Sequence, residues 1–161
     1  PQGDFIKELN QSPDPGIPYT ILAGEVQTYQ EPSDKFFPKL IERAGFEAAG
    51  ARLVMISPQL VEHNRFVKAH FNMPGEILSD PGNGVAARYG LRFVLPDDLQ
   101  ALYTQFGIDV PKHSGDDSWS LPMPARLVID AEGIVRHTAI NADYTVRPEP
   151  EETLAFVRSP Q

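Results

Sequence analysis

The stretch "ARLVMIS" (Ala51–Ser57) decides how the rest of the chain is read. Leu53, Val54, Met55 and Ile56 run without a polar break between Gly50 and Pro58, and so short a β-rich run reads as a strand buried on both faces. Strands of that kind belong to parallel sheets whose two faces are covered by helices. The flanking segments supply candidates for those helices. Upstream, "IPYTILAG" (Ile17–Gly24) reads as a second buried strand, and "TYQEPSDKFFPKLIERAG" (Thr28–Gly45) as the helix between the two. Pro32 suits a first helical turn, Ser33 or Asp34 can cap it, and Phe36, Phe37, Leu40, Ile41 and Ala44 follow at helical spacing. Downstream, "PQLVEHNRFVKAHF" (Pro58–Phe71) carries Leu60, Val67 and Phe71 on one side of a helix.

The remaining elements extend this pattern. "GEILSD" (Gly75–Asp80) reads as a short strand and "GNGVAARYG" (Gly82–Gly90) as a short helix. "PDDLQALYTQFGI" (Pro96–Ile108) reads as a helix that opens on Pro96 and two Asp residues. "DVPKHSGDDSWSLPMP" (Asp109–Pro124) reads as a long irregular loop. "ARLVID" and "GIVRHTAIN" flank a hairpin turn, and "EPEETLAFVRS" (Glu149–Ser159) is a closing helix. The predicted order is β-α-β-α-β-α-α-β-β-α, beginning with a βαβ unit and ending with a hairpin and a helix. Right-handed crossovers make the first half parallel, and the hairpin adds an antiparallel edge. The fold class expected is α/β, a three-layer sandwich with a mixed central sheet, within one domain over residues 1–161.

Composition narrows the function. A formal net charge of −8 disfavours nucleic acid and anionic membranes as partners, since both need a basic face. No apolar run reaches the roughly 18–20 residues of a membrane span. The chain contains no cysteine, so disulfides, zinc–thiolate sites, iron–sulfur clusters and thiol redox chemistry are all excluded. No leader segment is legible, and a cytoplasmic location is the default expectation.

From Ala51 onward the chain resembles a known family. "ARLVMISPQ", "EILSDPGNGVAARYGLRFVLPDDLQALYTQFGIDVP", "GDDSWSLPMPARLVIDAEGIV" and "NADYTVRPEPEE" are similar, in order, to the peroxiredoxin-like branch of the AhpC/TSA (alkyl hydroperoxide reductase/thiol-specific antioxidant) family. The resemblance covers residues about 51–161 and implies a thioredoxin-like fold. It places Pro124 where such proteins keep a cis-proline, and it implies that homodimers are common among the relatives. Family members open the first helix with a Trp-Cys-Pro-x-Cys type motif. The nearest equivalent here is Glu31-Pro32-Ser33-Asp34, with Glu31 and Asp34 where two cysteines would stand. Residues 1–50 match the family less well, and "SPDPGIPYTILAG" (Ser12–Gly24) resembles a strand segment of lipase-like α/β-hydrolases, as though the two parts had different ancestry.

Each candidate residue has an ordinary role beside a chemical one. Glu31 and Asp34 can act as an acid–base pair or hold a hard cation, and acids at a helix start also cap it. "HSGDDSW" holds His113, Asp116, Asp117 and Ser118, but triads depend on spatial placement and no G-x-S-x-G elbow is present. Asp and Ser in such a loop cap turns, and Trp119 is expected to pack it down. Arg126, just after Pro124, is expected to be a solvent-exposed strand residue, or to meet an anion if it turns toward the Glu31–Asp34 corner. The four histidines show no metal-ligand spacing, so neither metal nor cofactor is expected. The expected function is binding, of a second copy or of an unknown protein or small-molecule ligand, in a chain without thiol peroxidase chemistry. One alternative is a small esterase- or lactonase-type hydrolase using Glu31, Asp34 and His113. Another is a peroxiredoxin-type oxidoreductase altered artificially.

Overall fold

The computed structural model describes residues 19–23 (as backbone), 46, 49–70, 75–143 and 150–159. Seven strands lie within them: β1 (Tyr19–Ala23), β2 (Arg52–Ser57), β3 (Glu76–Ser79), β4 (Arg92–Val94), β5 (Ser120–Pro122), β6 (Ala125–Ile129) and β7 (Val135–Ile140). The α-helices are α1 (Val61–His70), α2 (Gly84–Arg88), α3 (Asp97–Gln105), α4 (Val110–Ser114) and α5 (Pro150–Arg158). None of the described helices is long and apolar enough to cross a membrane.

The run within Ala51–Ser57 becomes β2, an interior strand of a five-stranded sheet ordered β3-β2-β1-β6-β7. β2 pairs in parallel with both β1 and β3, while β6 runs antiparallel to β1 and to β7. Its buried residues, Leu53, Val54, Met55 and Ile56, are continuous because both of its faces are covered. Alternation then divides the sheet into two faces. Val54, Ile56, Leu127 and Ile129 form one, closed by Leu78 and by Val85 and Tyr89 from around α2. On the other, Ala51 packs with Phe46 and with Leu154 of α5. Helices on both faces of a mixed sheet match the expected architecture.

The segment after α3 does not match its expectation as one irregular loop. It contains the helical turn α4 and the strand β5, which pairs antiparallel with β4. Asp109 accepts the Lys112 N–H at 3.0 Å, which starts α4, and Gly115 at φ +62° ends it. β5 is only three residues long and includes a proline, so no local period marks it. Its pairing partner β4 lies far back in the chain, beyond α3.

Candidate functional site

Glu31, Pro32, Ser33 and Asp34 lie outside the described residues. Pro124 lies between β5 and β6, half-buried. No cis peptide bond occurs among the described residues, so the bond before Pro124 is trans, where the family resemblance would have it cis. The turn is held by the Met123 N–H, which donates to the Leu91 carbonyl at 2.7 Å.

Arg126 departs from the expectation of a solvent-exposed strand residue. It is 8% exposed and donates from Nη1 to Thr153 Oγ1 at 2.9 Å, against a threonine that is itself fully buried. The cause is register. Arg126 lies opposite Leu22 of β1, which in turn pairs with Met55, so its side chain shares the α5-facing side of the sheet. A buried guanidinium needs hydrogen-bond partners, and the first turn of α5 supplies one.

The glycine-rich segment before α2 is a structural hub. The Asp80 carboxylate accepts the Val85 N–H at 2.9 Å and the Ala86 N–H at 3.0 Å, which fixes the start of α2. Asn83 adopts a left-handed conformation at φ +56° and is buried, with Nδ2 donating to the Ser120 carbonyl at 2.9 Å and to Ser120 Oγ at 3.0 Å. This side chain ties α2 to β5. Beside it lies a cavity of about 10 Å³ lined by Ile56, Asp80, Asn83, Tyr89 and Leu127, room for about one water. An organic substrate does not fit in it. Burial raises the Tyr89 pKa above its usual value.

In the loop after α4, Ser118 Oγ hydrogen-bonds the Asp116 carboxylate and, at 2.7 Å, Ser120 Oγ. His113 takes a different direction, its ring centroid 4.8 Å from that of His63 on α1. The loop's serine and histidine are thus engaged with different partners. Burial, then the neighbouring His63 and Lys112, push the His113 pKa below its usual value, while Asp109 opposes them. Trp119 is half-buried at φ +51° and packs against Leu95, Val110 and Leu121. Among the described residues no group of three or more His, Asp or Glu side chains is gathered as a metal site.

The sequence model of the AhpC/TSA family matches residues 36–138, well over half of the chain. The chain belongs to the AhpC/TSA family. Solved structures similar to this AhpC/TSA chain are peroxiredoxins. Oxidized Prx3 from Vibrio vulnificus superimposes with a TM-score of 0.65 at 13% identity, over 92% of this chain and 83% of that one. Mycobacterium bovis AhpC gives 0.61 at 14% identity, over 89% and 68%. The mitochondrial 2-Cys peroxiredoxin of Plasmodium falciparum gives 0.52 at 20% identity, over 88% and 73%. These likenesses fix the fold as thioredoxin-like, of the peroxiredoxin kind. Curated protein sequences yielded no match. Within this AhpC/TSA chain, sequence reasoning missed the buried Arg126–Thr153 pair and the Asn83–Ser120 tie. An Asn between two glycines in "PGNG" is the one local signal, since Asn tolerates the left-handed region.

Proposed function

We propose that this AhpC/TSA chain acts by binding, without thiol peroxidase activity, and that its first partner is a second copy of itself. The absence of cysteine carries the first half. Peroxide reduction by a thiol enzyme needs a thiolate that attacks the O–O bond and becomes a sulfenic acid, and no residue here can complete that cycle.

An apolar face supports the second half. α3 has no buried residue, although Leu99, Leu102 and the following Phe106 recur on one side of it. Phe106 is 69% exposed, and Leu99 and Leu102 are exposed on the same side. Aromatic and aliphatic side chains gathered at the surface mark interaction sites rather than solvated helix faces. A symmetric pair would cover the same patch on both chains at once.

Sedimentation velocity tests the reading: a dimer is expected that dissociates in Leu102→Glu/Phe106→Glu. Each copy carries a formal charge of −8, so self-repulsion opposes the pairing and added salt should strengthen it. A monomer at every concentration would overturn self-association. A dimer that survives the double substitution but breaks in Val135→Lys would move the contact to the β7 edge. Ester or lactone turnover that disappears in Glu31→Gln would replace the binding reading with the hydrolase.

A further inference from the structure

His63 and His113 come from different helices, α1 and α4, and stand next to the joint that fixes those helices together. The Leu60 N–H donates to the His113 carbonyl at 2.9 Å, just before α1 begins. Gly115 closes the other side so tightly that a Cβ there would lie 2.7 Å from Leu60 Cδ2. The backbone positions of the two imidazoles are therefore set at this joint, by one main-chain hydrogen bond and by the packing of Leu60 against Gly115, and not by the rings themselves. The ring centroids are 4.8 Å apart, with the planes at 61°. His113 Nδ1 is shut off from solvent and has no hydrogen-bond partner among the described residues. A buried ring nitrogen left without a partner is destabilising.

We propose that His63 and His113 form a two-imidazole site for a borderline divalent cation of the Zn²⁺ or Cu²⁺ class, with water completing the coordination. The spacing suits that chemistry. With a metal–nitrogen bond of about 2.1 Å, a ring centroid stands about 3.2 Å from the ion, and two rings at a tetrahedral angle lie about 5 Å apart. The terminal torsion of histidine is broad, and rotation about it is the motion that would bring a nitrogen of each ring to a shared ion. Imidazole is a ligand that Zn²⁺ and Cu²⁺ both accept, whereas Mg²⁺ and Ca²⁺ prefer oxygen. An ion held there bridges α4 to α1 and stiffens the loop that carries β5.

Titration of the whole chain with Zn²⁺ alone, by calorimetry and by NMR of the imidazole protons, tests this site. One ion per chain is expected, with the resonances of His63 and His113 shifting together. His63→Gln and His113→Gln should each weaken binding by at least about tenfold, the lower bound seen when even an outer partner of a metal ligand is lost. His70→Gln and His137→Gln should leave it unchanged. His63 is half-exposed, so its variant keeps the test valid should His113→Gln fail to fold. Absence of saturable binding, or binding that survives His63→Gln, would overturn the proposal. So would loss of binding in His70→Gln or His137→Gln.

Discussion

The centre of the sheet and the β4–α3 segment contain similar apolar residues and treat them in opposite ways. In the centre, Val54 and Ile56 of β2 and Leu127 and Ile129 of β6 are at most 6% exposed and form one cluster. In the β4–α3 segment, Val94 and Phe106 stand 58% and 69% exposed, and α3 buries nothing. Burial of the first set follows from the sheet, whose strands are covered from both sides. The second set has the same water-avoiding chemistry but only one covered side, through Tyr103, which reaches inward to Leu95 and Val110. Where a fold leaves such a face open, the free energy of covering it is available to a partner.

Truncation gives the largest expected contrast. Leu127→Ala should lower the free energy of unfolding by about 2–5 kcal/mol, because a cavity opens inside a packed cluster. Leu102→Ala should change the stability of the isolated chain by no more than about 0.5 kcal/mol. Denaturant titration at low protein concentration measures both. Equal losses would mean that α3 belongs to the core after all.

Two glycines sharpen the comparison at smaller scale. Gly75 (φ +74°) precedes β3, and a Cβ there would come within 2.8 Å of the Leu53 carbonyl oxygen in β2. Gly107 (φ +74°) follows α3 and has nothing within 4 Å. Gly107→Ala should cost about 1–2 kcal/mol from the left-handed conformation alone. Gly75→Ala should cost more, since backbone must also shift, and thermal melting of the two variants ranks them.

The smallest effect concerns the turn between β6 and β7. Burial would raise the Asp130 pKa, but the Ile134 N–H and the Arg136 guanidinium hold it below the usual value. A depressed carboxylate stabilises the fold above its unfolded pKa and loses that contribution as pH falls through the folded value. Asp130→Asn should therefore be slightly less stable than the native chain at neutral pH, with the gap closing toward strongly acidic pH. Unfolding curves at the two extremes measure it, and a gap that widens in acid would refute the assignment.

Legibility followed the range of the interactions involved. β2, β6 and the hairpin were readable because each is a run with its own period and its own Gly or Pro boundary. α4 and β5 were not. Asp109 and Gly115 bracket a helix of only five residues, too short to show a stripe, and Ser120–Pro122 is a strand only because β4 lies beside it. Arg126 looked like a surface residue because charged side chains usually are; only its position opposite Leu22 turns it toward Thr153.

By itself, the sequence determined the α/β class, the family's body from Ala51 onward and the absence of any cysteine thiol, since composition and local period are written residue by residue. The tertiary structure decided which side chains meet: Arg126 with Thr153, Asn83 with Ser120, and His63 with His113. The physical reason is that strand register and helix docking bring together segments far apart in the chain, and no local pattern of residues encodes a contact of that kind.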